Sequence, residues 1–288
     1  MICALLTEKI ERSGLDLDLI LARVSAALAE DVRGGDITSA ATVDKDQVSL
    51  ARFTARKPGI AAGILIAAAV LEECGVHTYQ LRKDDGEKLI AGDVLLSCEG
   101  STRSILLAER TALNFLTHLS GIATLTHQWT EAISGTKAKI RDTRKTIPGL
   151  RELEKYAVRV GGGTNHRMSL NDGALIKDNH IAAVGSITRA VERVRSQFPG
   201  VEIEVEADTL DQVKEALSAK VELILLDNMS IEQTKSAVEL ARGTSTKLES
   251  SGGLTLDSAA AYAATGVDYL AVGALTHSAP ALDIGLDF

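Results

Sequence analysis

From residue 138 onward the chain alternates short apolar strands with amphipathic helices, and this alternation constrains the fold most. The predicted strands begin about 20 to 36 residues apart, the spacing that a right-handed parallel crossover with its helix requires. We therefore predict a parallel sheet covered by helices, either closed as a barrel or open and doubly wound. The strands are predicted at 138–142, 174–177, 201–206, 223–227, 247–250 and 269–273. The helices are predicted at about 149–160, 186–197, 209–219, 230–241 and 256–264.

The first part of the chain follows a different pattern. Apolar positions recur at helical spacing over 15–31, and the Ala-rich stretch 64–74 predicts a second, buried helix. Strand-like segments lie around that helix, which suggests an α+β layer. Two helical stretches, 104–119 and 122–133, lead into the alternating half. The strand-like segments are 47–56, 76–81 and 94–99, and 282–288 is a candidate strand returning to this layer.

The charge balance argues against a nucleic-acid partner, and the hydropathy argues against a membrane-spanning helix. The chain has 31 Lys and Arg against 39 Asp and Glu, a net charge of −8, with four Phe, four Tyr and one Trp. A nucleic-acid surface needs a net basic face and usually stacking rings. The longest mainly apolar run, 59–71, is much shorter than the roughly 20 residues that cross a bilayer. The start of the chain does not match a secretory signal, so we expect a cytoplasmic protein.

Cys3, Cys74 and Cys98 are scattered, without a Cys-x-x-Cys pair. This pattern favours small buried apolar residues over disulfides or a zinc site.

Polar residues stand at the end of every predicted strand of the second half. In parallel α/β folds that edge of the sheet carries the active site, and a charged residue closing an apolar run is costly unless it is paired or faces a cleft. A series of six such ends therefore predicts a site. The groups are 141–145, 177–180, Glu206, Asp227 with Asn228, 249–253, and 273–274.

The segment 139–177 is basic, with nine Lys or Arg against four Asp or Glu. Its net charge is +5, which leaves −13 for the rest of the chain. Arg151, Lys155 and Arg159 lie four residues apart on one helix, and we interpret them as a solvated face. The remaining basic groups lie at strand ends or in loops, where they can converge on a small polyanion. These are Arg144, Lys145, His166, Arg167 and Lys177.

Glu206 and Asp227 close consecutive strands, so both could reach one hydrated Mg²⁺ delivered with a pyrophosphate. The alternative is an ion pair with a neighbouring lysine. Alternation places Glu204 on the same face as Glu206, as a candidate supporting partner. Two glycine-bearing turns, 250–253 and 272–277, could hold phosphate through backbone N–H groups. The stretch 161–165 is either a helix cap with a flexible loop or a loop that brings His166 and Arg167 into the cleft.

No nucleophile elbow is present, and no cysteine lies beside a candidate base. The residues fit transfer of a group between anions, with electrostatics and positioning supplying the catalysis.

These motifs resemble the quinolinate phosphoribosyltransferases, also called nicotinate-nucleotide pyrophosphorylases (carboxylating). The resemblance covers nearly the whole chain, with no departure at a position expected to be catalytic. The motifs are AERTALN (108–114), LSGIA (119–123), RDTRKTIPGL (141–150), KYAV (155–158), GGGTNHR (161–167), LIKDNH (175–180), LLDN (225–228), ESSGG (249–253) and GVDYLAVGALTH (266–277).

The resemblance implies an N-terminal open-faced α/β sandwich over 1–113, which 278–288 would join if it forms the returning strand. An incomplete β/α barrel of six or seven strands would occupy 114–277. It also implies a homodimer in which Arg110 of the partner subunit completes each active site. Assembly into a higher oligomer is left open. From its sequence position alone, Arg110 is a surface arginine on a helix.

The implied reaction joins quinolinate to 5-phosphoribosyl 1-pyrophosphate (PRPP), giving nicotinate mononucleotide, pyrophosphate and CO₂ for NAD synthesis. By resemblance Arg144, Lys145, His166 and Arg167, with Arg110 of the partner subunit, hold quinolinate, and Thr143 belongs to the same motif. Lys177 lies between the two substrates. Glu206 and Asp227 serve Mg²⁺ and the ribose hydroxyls, and the catalytic set is Lys145, Lys177, Glu206 and Asp227. The phosphoribosyl end is assigned to Ser250, Ser251, Gly252, Val272, Gly273, Ala274 and His277.

Two alternatives remain at this point. One is a related phosphoribosyltransferase acting on nicotinate or another ring acid. The other is a non-catalytic anion-binding homologue of the kind linked to molybdate uptake.

Overall fold

A computed structural model describes residues 2–288, which divide into two compact units. The first unit comprises 2–125 together with Ile147–Gly161 and Ser278–Phe288. The second comprises Thr126–Thr146 and Gly162–His277. The boundary between 113 and 114 stays a prediction, because a compact unit is not the same as a segment that folds independently.

The first unit is built on a four-stranded antiparallel sheet in the order β12-β1-β5-β3. Its strands are β1 (Val48–Ala55), β3 (Thr78–Leu81), β5 (Val94–Ser101) and β12 (Ile284–Asp287), with a separate pair β2 (Gly59–Ile60) and β4 (Lys88–Leu89). Its helices are α1 (Ala4–Arg12), α2 (Leu17–Asp31), α3 (Ile37–Thr42), α4 (Ile64–Glu73), α5 (Thr102–Ala132, which continues beyond this unit) and α6 (Arg151–Val160). The pairing of β12 with β1 confirms that the chain end returns to this layer.

The buried helix predicted at 64–74 is α4, and eight of its ten residues are buried. Asp85 accepts hydrogen bonds from the N–H groups of Gly63 and Ile64 at 2.9 and 3.0 Å, and so caps the helix start. The Tyr156 hydroxyl donates to the same carboxylate at 2.7 Å. Burial raises the pKa of Asp85, and these three donors oppose that effect. A polar cap therefore fixes the start of an otherwise apolar helix.

Helix α5 is continuous, so the prediction of two helices at 104–119 and 122–133 is wrong. The small residues in the middle of α5 permit close packing instead of a break. Ser120 exchanges hydrogen bonds with the backbone of Ala62 at 3.0 and 3.1 Å. A Cβ on Gly121 would lie 2.2 Å from the carbonyl oxygen of Pro280.

Two further expectations need correction. Lys155 is fully buried rather than solvated, because α6 is enclosed over the consecutive residues 153–158. Only Arg159 of that basic trio is exposed. The three cysteines are free, but Cys3 is exposed, while Cys74 is half-buried and Cys98 is buried.

The second unit contains a six-stranded parallel sheet in the order β6-β11-β10-β9-β8-β7. Each strand lies within two residues of its predicted bounds, which confirms the β/α alternation. The strands are β6 (Lys139–Arg141), β7 (Ala174–Ile176), β8 (Ile203–Ala207), β9 (Leu223–Asp227), β10 (Lys247–Ser251) and β11 (Tyr269–Ala271). The helices are α7 (Asp178–Val184), α8 (Ile187–Gln197), α9 (Leu210–Ser218), α10 (Ile231–Leu240), α11 (Leu256–Ala263) and α12 (Ala274–His277).

This strand order is that of a barrel left open at one place. Consecutive strands are neighbours from β7 to β11, and β11 pairs with β6. Within residues 2–288, β6 and β7 do not pair with each other, so both are edge strands. The sheet is thus the expected incomplete barrel, with six strands. None of the helices that the structure describes is long and apolar enough to span a bilayer.

We predict that Gly121→Ala lowers the free energy of unfolding by about 1–3 kcal/mol, since the new methyl group would collide with backbone atoms of Pro280. Urea unfolding measures the change. Gly34→Ala is the matched control, because no atom lies within 4 Å of the place that its new methyl group would occupy. Equal stability of the two variants would contradict the close packing described here.

Candidate active site

A cavity of about 630 Å³ lies in the second unit, at the carboxyl-terminal edge of its sheet. Parallel register brings the last residues of four strands into one row there, since Arg141 is paired with Ala271, Ala271 with Ser251, and Ser251 with Asp227. The lining residues are Thr143, Arg144, Lys145, His166, Arg167, Leu175, Lys177, Glu206, Leu225, Asp227, Asn228, Glu249, Ser251, Gly252, Gly253 and Ala271.

The strand residues of the cavity come from one face of the sheet. Side chains alternate between faces along a strand, and residues paired in register share a face. Glu206 and Glu249 are both paired with Leu225, so these three side chains form one row on the cavity face. The opposite face carries apolar residues such as Val205 and Ile224, which are fully buried. The sheet therefore directs its polar side chains to the cavity.

The main cationic side chains enter the cavity from the segment between β6 and β7, the strands that leave the barrel open. Arg144 and Lys145 follow β6, and Arg167 precedes β7. Burial, and then the charge of Arg144, lower the pKa of Arg167, so two guanidinium groups lie near each other in a partly desolvated place. Such an arrangement favours an anionic ligand with more than one negative charge.

The loop before Arg167 is tied to β6 by a buried carboxylate. Asp142 is fully buried and accepts from the backbone N–H of His166 at 2.8 Å and from the side chain of Asn165 at 2.5 Å. Thr164 also forms a parallel bridge with Arg141. Of the two interpretations of 161–165, the structure supports the loop that carries His166 and Arg167 to the cleft.

A largely buried cluster of charged and polar groups includes the cavity-lining residues His166 and Glu249. Arg141 donates to Glu249 at 2.7 Å, and its guanidinium lies 4.4 Å from the centre of the Tyr269 ring. The Nε2 atom of His166 lies 2.7 Å from an oxygen of Glu204 and 3.8 Å from one of Glu249. Strand alternation made Glu204 a candidate supporting partner of Glu206, whereas the contact seen in the structure is with the His166 ring.

His166, Glu204 and Glu249 also offer ligand atoms within 4.8 Å of one another, a grouping that could hold a metal ion. Arg141 already supplies a positive charge to this group. Burial, and secondly the charge of Glu204, raise the pKa of Glu249 to about 7. The Arg141 guanidinium and the raised pKa of Glu249 both lessen the negative charge of this group.

The two acidic residues predicted for Mg²⁺ both line the cavity. Glu206 forms an ion pair with Lys177, which is the alternative that the sequence left open for it. Asp227 accepts from the amide of Asn228 at 2.8 Å. Carboxylate oxygens are the donors that Mg²⁺ prefers, so the donor set fits that ion.

The turn after β10 contributes Ser251, Gly252 and Gly253 to the cavity. Gly252 has φ +86°, and a Cβ there would lie 2.2 Å from the side-chain oxygen of Asn228. Only glycine fits this place, so the turn can present backbone N–H groups to a ligand at close range.

Not every predicted residue reaches the cavity. Ser250 faces the opposite side of the sheet, because it is paired with Leu226 and Leu270, and it is buried there. Val272 is buried too. Neither Val272 nor the following residues Gly273, Ala274 and His277 line the cavity.

The turn after β11 instead supports Lys145. A Cβ on Gly273 would lie 3.1 Å from the Lys145 side chain and 3.2 Å from the His277 ring, and the hydroxyl of Thr276 donates to the Lys145 carbonyl at 2.7 Å. Arg110 lies exposed on α5.

Three lining residues were not singled out from the sequence, namely Leu175, Leu225 and Ala271. Asn228, Glu249 and Gly253 stood in the predicted strand-end groups, without an assigned role. A period of two, counted back from Lys177 and Asp227, would have placed Leu175 and Leu225 on the cavity face.

We predict that the free energy of unfolding of the wild-type chain falls as pH rises through the titration of Glu249. In Glu249→Gln this fall should be absent. The folded-state pKa of Glu249 is raised from 4.5 to about 7, so ionisation between these values favours the unfolded state. The variant should match the wild type near pH 4.5 and exceed it at pH 8 by roughly 1–3 kcal/mol. Urea unfolding at both pH values measures this, and a stability difference that does not change with pH would contradict it.

Family models match nearly the whole chain. The model "Quinolinate phosphoribosyl transferase, N-terminal domain" matches residues 36–120, and the corresponding C-terminal domain model matches 122–287.

Named relatives agree with the family models. The chain is 53% identical to a nicotinate-nucleotide pyrophosphorylase [carboxylating] of Mycobacterium leprae over 96% of this chain and 99% of that protein. It is 44% identical to a probable enzyme of the same name from Bacillus subtilis, over 90% and 89% of the two chains. The solved nicotinate-nucleotide pyrophosphorylase from Francisella tularensis has a TM-score of 0.91 and 40% identity, covering 95% of this chain and 97% of that one. The chain belongs to the quinolinate phosphoribosyltransferase family.

Proposed function

We propose that this protein transfers the phosphoribosyl group of PRPP to quinolinate with decarboxylation, giving nicotinate mononucleotide, pyrophosphate and CO₂ in NAD biosynthesis. The observation that carries the proposal is the convergence of Arg144, Lys145 and Arg167 in one cavity with Lys177, Glu206 and Asp227. Quinolinate carries two negative charges and needs cationic side chains. PRPP needs groups that bind its phosphates and carboxylates that can hold a divalent metal ion.

Quinolinate would occupy the end of the cavity formed by the segment between β6 and β7. Arg144 and Arg167 suit its two carboxylates, because a guanidinium can pair with a carboxylate through two parallel hydrogen bonds. Lys145 lies beside them, and the hydroxyl of Thr276 holds its backbone carbonyl at 2.7 Å. Thr143 accepts a hydrogen bond from the Lys145 N–H at 3.0 Å, which fixes the turn that carries these cations.

PRPP would occupy the end formed by β8 to β10. The backbone N–H groups around Gly252 suit its 5-phosphate, and Glu206 and Asp227 suit the ribose hydroxyls and a divalent cation. The roles assigned by resemblance to Ser250, Val272, Gly273, Ala274 and His277 remain predictions. The turn after β11 also supports the quinolinate end, because the Thr276 hydroxyl donates to the Lys145 carbonyl.

Mg²⁺ held by Glu206 and Asp227 would neutralise negative charge on the departing pyrophosphate. The residues of the chain do the rest by positioning. They hold the pyridine nitrogen in line with the anomeric carbon, where positive charge develops as pyrophosphate leaves. Lys177, between the two ends, contributes positive charge at the leaving group once a substrate competes with Glu206 for it.

Decarboxylation follows from the same geometry. Attachment to ribose makes the ring nitrogen cationic, and that charge stabilises the electron pair left on the adjacent carbon when its bond to the carboxylate breaks and CO₂ departs. That carbon then takes a proton from water, which completes nicotinate mononucleotide. Lys145 and the two arginines fix the carboxylates for the loss of CO₂, and partial exclusion of water weakens the solvation of the departing carboxylate.

The direct test supplies quinolinate and PRPP, with and without Mg²⁺, and measures CO₂ and pyrophosphate. We expect both products in equal amounts and strong dependence on Mg²⁺. Nicotinate in place of quinolinate should give no mononucleotide. Turnover of nicotinate without CO₂ would favour the differently specific alternative, and no turnover of either acid would favour the anion-binding one.

We predict that Arg167→Lys raises the KM for quinolinate by about 10- to 100-fold, since lysine cannot form the paired hydrogen bonds of a guanidinium. The KM for PRPP should change much less, because Arg167 lies at the other end of the cavity. Arg189→Lys, at an exposed position on α8, is the control. Equal increases in both KM values would argue against the proposed placement of quinolinate.

The homodimer and the role of Arg110 are also proposals. Arg110 is exposed on α5, so it is available to a second subunit. Assembly beyond a dimer and a cytoplasmic location stay predictions.

Complementation tests the shared site. Arg110→Ala and Lys177→Ala should each be inactive, but their coexpressed mixture should recover about a quarter of the wild-type activity, because half of the dimers are hybrids with one intact site. The pair Arg144→Ala and Lys177→Ala is the control. Both residues line the cavity of their own chain, so each cavity of a hybrid dimer carries one of the two changes and no site is restored. A mixture of Arg110→Ala and Lys177→Ala without recovered activity would contradict a site completed by the partner.

A further inference from the structure

His166 uses both of its ring nitrogens inside the protein. The backbone N–H of Arg167 lies 2.8 Å from Nδ1, and an oxygen of Glu204 lies 2.7 Å from Nε2. The ring is nearly buried, with 9% of the side chain exposed, and it forms part of the cavity wall. It therefore has no ring nitrogen left to bind a substrate carboxylate.

These two contacts determine where the proton lies. A backbone N–H can only donate, so Nδ1 must be the acceptor and carries no proton. A carboxylate oxygen can only accept unless it is protonated, so Nε2 carries the proton and donates it to Glu204. The imidazole is then neutral, although it stands among the cationic residues of the cavity.

The groups around the ring are consistent with this state. Glu204 and Glu249 face it from β8 and β10, and Arg141 on β6 pairs with Glu249. Asp142 accepts from the backbone N–H of His166 rather than from its ring. Arg141 thus already supplies positive charge to this cluster, so the ring is not the only possible source of it.

The Nδ1 contact acts on Arg167. The side chain of Arg167 donates from Nη1 to the carbonyl of Gly173 at 2.9 Å, so its far end is also held. His166 fixes the backbone end and Gly173 fixes the guanidinium end. Such double support reduces the rotamer freedom that a ligand would otherwise have to restrict.

We propose that His166 is a positioning residue, a neutral imidazole protonated on Nε2 whose Nδ1 atom holds the backbone of Arg167 so that the guanidinium meets a quinolinate carboxylate. The role in binding rests on the proposed function, whereas the state of the ring does not. His166 then contributes no charge to the substrate, and Arg144, Lys145 and Arg167 supply the cations.

The first test reads the ring directly. A ¹⁵N-histidine-labelled sample at pH 7.5, without substrates, should show one protonated and one unprotonated nitrogen for His166, with the proton on Nε2. The signal is assigned by its absence from whichever His166 variant folds. Two protonated nitrogens, or a proton on Nδ1, would overturn the proposal whether or not the protein turns over quinolinate.

The second test separates the two contacts by substitution. In His166→Asn the side-chain oxygen occupies the place of Nδ1 and can still accept from Arg167, but the contact with Glu204 is lost. In His166→Gln the amide reaches toward Glu204, and the acceptor for Arg167 is lost. We expect the KM for quinolinate to rise about tenfold or more in His166→Gln and clearly less in His166→Asn, with little change in the KM for PRPP.

Exposed His77→Gln is the matched control and should leave both KM values unchanged. If the two His166 variants, each shown by circular dichroism to be folded, lose quinolinate affinity equally, the Nδ1 contact is not what positions Arg167. If the wild-type enzyme does not use quinolinate at all, the proposed function fails, and the nitrogen signals still decide the state of the ring.

Discussion

The buried carboxylate of Asp142 fixes the part of the site that the sheet itself does not supply. Six parallel strands do not close this barrel, and the chain between β6 and β7 must be held in place at the opening. Asp142 stands directly after β6 and accepts from the backbone N–H of His166. A buried carboxylate is costly unless it is hydrogen-bonded, so the bond that satisfies Asp142 also anchors the loop that carries Arg167.

A second constraint is the balance of charge. Three acids in and beside the cavity have partners within the protein. Glu249 is paired with Arg141, Glu204 with Nε2 of His166, and Glu206 with Lys177. The pair with Glu206 offsets the charge of Lys177, but Arg144, Lys145 and Arg167 take no part in these three pairs, so the cavity keeps positive charge. The basic residues of the loop between β6 and β7 can then act on an anionic ligand, which is the condition that the proposed chemistry requires.

Close backbone packing supports both units. Gly121 lets α5 approach the backbone of Pro280 in the first unit, and Gly252 lets the turn after β10 approach Asn228 in the second. From sequence alone, Gly121 is expected between two helices and Gly252 in an ordinary turn. The structure shows that the absence of a side chain, rather than flexibility, is what each place requires.

The sequence by itself determined the parallel sheet and most of the cavity. Strands of the second half are short apolar runs bounded by polar residues, and parallel pairing places all their carboxyl ends on one edge, so Lys177, Glu206 and Asp227 had to meet. Tertiary structure decided what depends on neighbours distant in sequence. It turned Ser250 to the opposite face, buried Lys155, and set both nitrogens of His166 against protein atoms. The physical reason is that periodicity fixes the direction of a side chain along its own strand, whereas burial and protonation depend on the groups that the fold brings against it.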